Sequence, residues 1–175
     1  MFSTILIILA VIIAAILIYA ATRPNDFVTT RSATIKAPPE TIFPLINDFG
    51  RWPAWSPYEK LDPNMRRALS GAESGKGAAY AWEGNGKAGK GRMEIVDSIP
   101  FSRVSLKLDF EKPFRANNMV DFKLAQSGDS TAVTWAMRGT RPFIAKLMGL
   151  FMNFDTLIGR DFETGLANLK SLAEK

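Results

Sequence analysis

Apolar and polar residues alternate along the stretch 64–139, and this pattern restricts the possible folds more than any other feature of the sequence. The clearest example is the stretch 104–111, in which the apolar positions are Val104, Leu106, Leu108 and Phe110. A period of two is typical of strands with one buried and one solvated face. Turn-forming residues interrupt the pattern at hairpin spacing near 71–76, 84–89, 99–101, 113 and 128–130. The stretch therefore predicts an antiparallel sheet of about six strands.

The residues before this stretch predict one further strand and a short helix. Residues 27–36 are rich in Thr, Val and Ile, as strands are. Pro38 and Pro39 suit the first turn of a helix, and Pro44 removes one backbone hydrogen bond from it, so we expect a short or kinked helix. The stretch 50–63 contains three prolines and two tryptophans, and is expected to be a structured loop with room for one helical turn.

The chain is predicted to end in a long helix that begins near Thr140, a suitable capping residue. The first half of this helix, 143–154, is apolar on nearly every side and needs cover from a sheet, a ligand or lipid. Glycine lowers helix propensity by about 1 kcal/mol relative to alanine. We therefore expect a bend or close backbone packing at Gly149, Gly159 and Gly165.

The N-terminal residues 1–22 contain no charge, and 19 of these 22 residues are apolar. About twenty helical residues cover roughly 30 Å, the thickness of a bilayer's hydrocarbon core. A cleaved signal peptide is the alternative, but it usually has a basic N-terminal region and a small residue at position −3, where Ile18 or Tyr19 would lie here. We therefore predict a transmembrane anchor over 1–22, a linker over 23–26 and a folded domain over 27–175.

The basic residues near this segment lie on one side of it. Arg23, Arg31 and Lys36 follow the apolar run, and no Lys or Arg precedes it. Because basic residues concentrate on the cytoplasmic side of membrane spans, the pattern favours a single-pass protein with a cytoplasmic domain. A periplasmic domain stays open, since long domains are translocated largely regardless of flanking charge.

The sequence has no Cys and no His, which excludes several kinds of site. Disulfides, thiolate metal sites, cysteine nucleophiles and histidine bases are all ruled out. The stretch 84–91 (GNGKAGKG) has the glycine spacing of a phosphate-binding loop, but the residues after it alternate as a strand. A hairpin turn is therefore favoured there, and we predict neither a metal nor a cofactor.

The net charge of +5 raises the question of a nucleic-acid partner. The basic residues are interspersed with acidic ones, and their longest run is Arg66 and Arg67. Aromatic residues lie on the strand faces opposite most charges, which does not suit base stacking. We predict no nucleic-acid binding, and attraction to an anionic membrane surface accounts for the charge without further assumptions.

Two polar residues are candidates for a role on the buried face of the sheet. Asp97 has the parity of Met93 and Ile95, and burial there would raise its pKa and make it a possible general acid or base. The alternative is an exposed acid at a strand end. Asn118 has the parity of Val120 and is either a polar group in an apolar pocket or a strand-end amide.

The order of elements, from a first strand through short helices and six antiparallel strands to a C-terminal helix, resembles the helix-grip fold of the SRPBCC superfamily. This superfamily includes polyketide cyclases, lipid-transfer domains and plant pollen allergens. Three stretches, 35–63, 80–95 and 159–170, are similar to its membrane-anchored bacterial branch, which is described as polyketide cyclase or dehydrase and lipid transport. The resemblance implies an α+β fold, in which a curved antiparallel sheet of about seven strands wraps around a long C-terminal helix.

The resemblance also implies a deep cavity between the sheet and this helix, entered near the loops after the first helices. Trp55 would lie near the mouth. The sheet wall would consist of Tyr80, Trp82, Met93, Ile95, Leu106, Leu108, Val120 and Trp135, and Asn118 is the polar candidate beside them. The helix would contribute Met148, Met152 and Phe162. From composition alone, these aromatic residues and methionines either line such a cavity or fill a core.

Three functions are compatible with these observations. The first is a membrane-tethered module that binds an apolar small molecule or lipid. The second is a cyclase or dehydratase that uses a buried carboxylate such as Asp97, or Tyr80, to move protons. The absence of His departs from superfamily members that pair His with a carboxylate, and this makes an enzyme the less favoured hypothesis. The third is a partner-binding scaffold with a filled core and no cavity.

Overall fold

Seven antiparallel strands form one sheet within residues 2–175, the part of the chain that this computed structural model describes. The strands are β1 (Asp26–Ile35), β2 (Arg66–Gly71), β3 (Ala78–Glu83), β4 (Lys90–Ile99), β5 (Arg103–Lys112), β6 (Ala116–Ser127) and β7 (Ser130–Thr140). Strands β2 to β7 pair in chain order, and β1 pairs with β7 to complete the sheet. The prediction of six antiparallel strands after residue 64 and one before it is confirmed.

Four α-helices accompany the sheet: α1 (Phe2–Thr22), α2 (Pro39–Asn47), α3 (Phe143–Met148) and α4 (Phe154–Ala173). The helix α2 contains Pro44 and is nine residues long, as its proline predicts. Two 3-10 helices, Phe49–Ala54 and Pro57–Lys60, follow α2, where the sequence predicts a loop with a single helical turn.

The predicted long C-terminal helix is interrupted, and its predicted start is wrong. Thr140 ends β7, and α3 begins only at Phe143. The helix α3 ends at Gly149, and the side chain of Asn153 caps α4 by accepting a hydrogen bond from the Thr156 N–H at 3.1 Å. A side-chain cap supplies a partner for a free N–H of the first turn, so Asn153 defines a new helix start that the apolar pattern alone conceals.

The helix α4 packs closely on the sheet at two of its glycines. A Cβ atom at Gly165 would lie 2.7 Å from the Trp135 ring, and one at Gly159 would collide with the Arg31 guanidinium. Arg31 donates hydrogen bonds to Asp155 at 3.0 Å and Glu163 at 2.9 Å, which fastens α4 to β1. This guanidinium also holds the pKa of the Asp155 carboxyl below its ordinary value. The expectation of close backbone packing at these two glycines is confirmed.

The helix α1 extends over 21 residues, and its most apolar 18-residue window has a mean hydropathy of 3.0. Its length and composition suit either a membrane span or a signal sequence. Ile16 is half-buried and Ala20 is fully buried, because the C-terminal end of α1 packs against α3. The N-terminal segment and the C-terminal helices therefore meet at one end of the sheet.

Candidate ligand cavity

A cavity of about 630 Å³ lies between the sheet and the helices α3 and α4. One end is closed by the core, where the rings of Trp135 and Phe162 stack with their centroids 4.1 Å apart. At the other end the lining residues are exposed, and we call this end the mouth. The exposed residues of the mouth are Leu61, Lys87, Pro113, Phe114, Thr140, Pro142 and Ile144. The volume lies within the range of about 300–1,000 Å³ that is usual for small-molecule sites.

Strand pairing arranges the sheet wall of the cavity in rows that cross neighbouring strands. The row at the mouth is Trp82, Gly91, Phe110 and Ala116. The second row is Tyr80, Met93, Leu108, Asn118 and Gly139. The third row is Ile95, Leu106, Val120 and Met137. The fourth row, at the closed end, is Val104, Phe122 and Trp135.

The opposite wall comes from the C-terminal helices and from the segment around the second 3-10 helix. The helix α3 contributes Ile144, Ala145 and Met148. The helix α4 contributes Phe154, Ile158, Asp161 and Phe162. The remaining segment contributes Ser56, Tyr58, Glu59, Leu61 and Met65. Because most of these side chains are apolar, the cavity favours apolar groups over water.

The structure brings most of the predicted cavity residues together around this space. The predicted residues that line it are Tyr80, Trp82, Met93, Leu106, Leu108, Asn118, Val120, Trp135, Met148 and Phe162. They come from five strands and both C-terminal helices. Whether they contact a ligand stays a prediction.

Trp55 does not lie near the mouth, as the resemblance implied, but in the core at the closed end. Its side chain is fully buried, and its ring centroid is 6.0 Å from that of Phe122 and 5.6 Å from that of Trp135. Its indole N–H donates to the Leu45 carbonyl at 2.8 Å, and its own carbonyl accepts from the Asn168 amide at 2.9 Å. These contacts hold the loop after α2 against both α2 and α4. Trp55 therefore has a packing role.

Two further predicted residues lie outside the cavity lining. Ile95 has the expected parity but is fully buried in the third row, beside Leu106. Met152 is 44% exposed and lies in the turn between α3 and α4. Met152 was placed in the cavity on the assumption that one continuous helix runs through 143–173. The chain is not helical between α3 and α4, so the helical spacing does not apply to Met152.

Of the two possibilities for Asp97, the structure shows the exposed acid and not the group buried on the cavity side of the sheet. A β-bulge shifts the register after Ile95, so that Ile95 pairs with Leu106 while Asp97 pairs with Ser105. Adjacent residues of a strand face opposite sides, and the bulge therefore turns Asp97 away from the cavity. Its side chain is 43% exposed, and a hydrogen bond from Arg103 holds the pKa of its carboxyl below the ordinary value.

Tyr80 lines the cavity and donates a hydrogen bond at 2.7 Å to Glu59, whose carboxylate is buried in the wall. Arg67 donates to the other carboxylate oxygen at 2.6 Å and to the Glu59 carbonyl at 2.8 Å. Burial and the neighbouring carboxylate raise the pKa of the Tyr80 hydroxyl. Glu59 is thus an ion-paired group whose two carboxylate oxygens each accept a hydrogen bond, and Tyr80 is held as a neutral donor.

A second acidic group and tyrosine, Asp161 and Tyr58, meet on the same wall as Glu59. Burial, together with the nearby Asp161, raises the pKa of the Tyr58 hydroxyl. Partial desolvation raises the pKa of the Asp161 carboxyl, although this residue is exposed, while the adjacent Tyr58 hydroxyl partly opposes this change. Tyr58 and Asp161 thus form a second polar pair that borders the cavity.

Three residues that line the cavity carry buried polar atoms that find no hydrogen-bond partner within residues 2–175. These atoms are Ser56 Oγ, Asn118 Oδ1 and Trp135 Nε1. Asn118 lies opposite Gly139, where a Cβ atom would collide with its amide, so glycine leaves space for this side chain. An unsatisfied buried polar group typically costs about 1–3 kcal/mol, and its retention often reflects a functional contact.

Sequence reasoning missed the polar groups of the wall that come from irregular or helical segments. Glu59 and Tyr58 lie in a 3-10 helix, for which the sequence offers no period-two pattern. Asp161 could have been found, because it lies three residues after Ile158 and directly before Phe162 on the face of α4 that lines the cavity. Among residues 2–175, no group of three Asp or Glu side chains is arranged to hold a metal ion.

A seven-stranded antiparallel sheet that encloses a cavity with a C-terminal helix defines the helix-grip class of proteins. The chain belongs to the family described as polyketide cyclase / dehydrase and lipid transport, whose model matches residues 26–174. The match covers the sheet and all helices after α1. Among curated proteins, no sequence matches the chain.

Solved structures confirm the fold at low sequence identity. The protein CV1439 from Chromobacterium violaceum is 14% identical, with a TM-score of 0.60 over 87% of this chain and 99% of its own. The major latex-like protein 151 from Panax ginseng is 14% identical, with a TM-score of 0.61 over 87% of this chain and 100% of its own. The Aha1 dimer from Colwellia psychrerythraea is 17% identical, with a TM-score of 0.60 over 85% of this chain and 96% of its own.

Proposed function

We propose that the protein is a membrane-tethered binding module that holds an apolar small molecule or lipid in its cavity. The observation that carries this proposal is a space of about 630 Å³, closed at one end by packed aromatic rings and lined mainly by apolar side chains. A family whose description includes lipid transport supports it. The alternative of a scaffold with a filled core is contradicted by this cavity.

Burial of apolar area supplies the binding free energy in this proposal. A ligand that loses about 300 Å² of apolar surface to the cavity gains roughly 7 kcal/mol at about 25 cal/mol per Å². Association costs several kcal/mol, so the surplus corresponds to micromolar affinity at best. Sufficient occupancy therefore depends on a high local concentration of ligand.

The tether would provide that local concentration. We assign 1–22 to a transmembrane anchor, 23–26 to a linker and 27–175 to the binding domain, with the domain in the cytoplasm. The family match over 26–174 supports this division, and the packing of Ala20 against α3 supports an uncleaved α1. Arg23, Arg31 and Lys36 on one side of the segment support the cytoplasmic orientation. A domain held at the membrane surface samples lipophilic ligands at a raised effective concentration.

Native mass spectrometry of the full chain, purified in detergent, tests the proposal. We expect a population that carries one additional apolar molecule, released when the protein unfolds. Repeated absence of bound mass, after incubation with lipid extract and with the folded state verified by circular dichroism, would contradict a binding function.

Asn118 is expected to lower the stability of the protein and to contribute to ligand recognition. Replacing it in the variant Asn118→Leu removes a buried, unsatisfied amide and should raise the free energy of unfolding by about 1 kcal/mol. A ligand with a polar group near the second row of the sheet should at the same time bind about tenfold more weakly. Thermal unfolding and binding titrations of the same samples measure both effects. Lower stability with unchanged affinity would show that Asn118 is only a packing residue.

An enzyme is the second candidate, and the pairing of Tyr58 with Asp161 on the cavity wall favours it. In this case Asp161, and not Asp97, is the carboxylate in position to move protons. The variant Asp161→Asn should then keep ligand affinity but lose at least about 10²-fold in the turnover of any compound that the wild type converts. The variant Asp97→Asn is the matched control and should retain turnover. Equal turnover of Asp161→Asn and the wild type would exclude this role.

A further inference from the structure

The segment 143–152, which we call the lip, joins the cavity to the N-terminal helix. Its helical part, α3, lines the mouth with Ile144 and Met148. The same helix packs against the last two turns of α1, where Ala20 is fully buried. If α1 spans a bilayer, Ala20 lies near the membrane surface, because α1 ends two residues later. The lip is therefore at the level of the lipid headgroups.

The lip exposes large apolar side chains on the surface that does not face the cavity. Phe143 is 47% exposed and Phe151 is 78% exposed, and neither lines the cavity. Phe114, in the turn between β5 and β6 on the other side of the mouth, is 51% exposed. Exposed apolar groups that cluster around one opening mark an interaction surface, and here they continue directly from a helix of membrane length.

Basic residues surround the same opening. The turns and termini at the mouth end of the sheet carry Arg23, Lys87, Lys112, Arg115, Arg141 and Lys146. None of these six forms an ion pair with an acidic residue in the described range 2–175. The acidic residues Glu83 and Glu111 at the same end pair instead with Arg66 and Lys90. Basic groups that are not neutralised by an acidic partner, placed around exposed aromatic residues, are complementary to an anionic lipid surface.

We propose that the mouth of the cavity faces an anionic bilayer and that Phe143 and Phe151 of the lip enter its interface, so that an apolar ligand passes between bilayer and cavity without crossing water. This inference rests on the proposed function, to which it adds the source of the ligand. Direct passage avoids transferring apolar ligand surface into water, the step that makes spontaneous desorption of lipids slow.

Depth-dependent quenching tests the position of the lip. The chain has no native cysteine, so single variants Phe151→Cys and Ser127→Cys can each carry one environment-sensitive fluorophore. Ser127 is exposed in the turn at the opposite end of the sheet and is the matched control. In bilayers of phosphatidylcholine with about 30% phosphatidylglycerol, nitroxide-labelled lipid should quench at least half of the emission at position 151 and leave that at position 127 unchanged. Equal accessibility of both positions to the aqueous phase would overturn the proposal.

A second measurement follows the ligand. The double variant Phe143→Ser/Phe151→Ser should take up a fluorescent fatty-acid analogue from the bilayer about tenfold more slowly, while its equilibrium affinity for that analogue in detergent stays unchanged. The variant Leu69→Ser, which removes an equally exposed apolar side chain from β2, should behave as the wild type. Wild-type uptake by the double variant would contradict the proposal.

The two proposals fail in different ways. If the cavity binds no ligand, the fatty-acid analogue gives no signal with any variant, whereas the quenching contrast between positions 151 and 127 is unaffected. If the lip does not enter the bilayer, the quenching contrast disappears although ligand binding in detergent persists.

Discussion

The double substitution Leu108→Trp/Met137→Trp is expected to abolish the retention of an apolar ligand, with a loss of at least about 100-fold in affinity. Leu108 and Met137 lie in the second and third rows of the sheet and both line the cavity. Two indole rings at these positions would occupy the middle of the space that a ligand needs. Native mass spectrometry of the variant should show the unliganded mass alone.

The expected loss of ligand affinity would not result from unfolding, because the new rings fill space that is already present in the cavity. Overpacking of a dense core costs about 1–3 kcal/mol, and a cavity of about 630 Å³ relieves that strain. We therefore expect cooperative thermal unfolding close to that of the wild type. The variant Val28→Trp/Leu69→Trp, which changes two exposed positions on the edge strands β1 and β2, is the matched control and should retain ligand. A cavity-filled variant that still carries ligand would show that binding occurs elsewhere.

The substitution Arg67→Met is expected to destabilise the protein by about 3 kcal/mol, because it leaves the buried Glu59 carboxylate without its cation. Arg67 also donates to the backbone carbonyls of Glu59 at 2.8 Å and Met65 at 2.9 Å, so its loss frees several acceptors at once. For a domain of this size, we expect the midpoint of thermal unfolding to fall by roughly 6–12 °C.

The adjacent Arg66 provides a matched control. Its side chain is 81% exposed and pairs with Glu83 at 3.2 Å, and surface ion pairs of this kind contribute at most about 1 kcal/mol. Combining Arg67→Met with Glu59→Gln should restore most of the lost stability, since a neutral amide can still accept the hydrogen bond from Tyr80. Similar losses for Arg66→Met and Arg67→Met would show that Glu59 does not depend on a buried ion pair.

The alternation of apolar residues was sufficient to predict the sheet and the side chains of its inner face. Each strand places every second side chain on the same face, so parity alone orients Met93, Leu108 and Val120 toward the cavity. Parity fails at a bulge, and this is why the buried alternative for Asp97 does not hold. The sequence around 95–97 contains no glycine or proline that would have indicated the bulge.

The remaining errors arise where tertiary contacts decide the local structure. Trp55 and Met152 are apolar residues whose environment depends on how the loop after α2 and the turn after α3 fold back, and no periodic pattern reports this. The ion pair of Glu59 and Arg67 joins a 3-10 helix to β2 across eight residues, a contact that no helical or strand spacing predicts. Asn153 as a cap was visible in the sequence, but the apolar residues on both sides of it favoured one continuous helix.

The break between α3 and α4 divides the C-terminal segment into two helices that are held in place by different contacts. The helix α4 is held in the core by Phe162 and Leu166 and by the ion pairs of Arg31, whereas the six-residue α3 is held by the edge of the cavity and by α1. Displacement of α3 alone breaks few contacts, and Gly149 and the residues after it can absorb the rotation. A local displacement of α3 would therefore open the binding space while the global fold stays intact, and a force applied to α1 would act directly on that displacement.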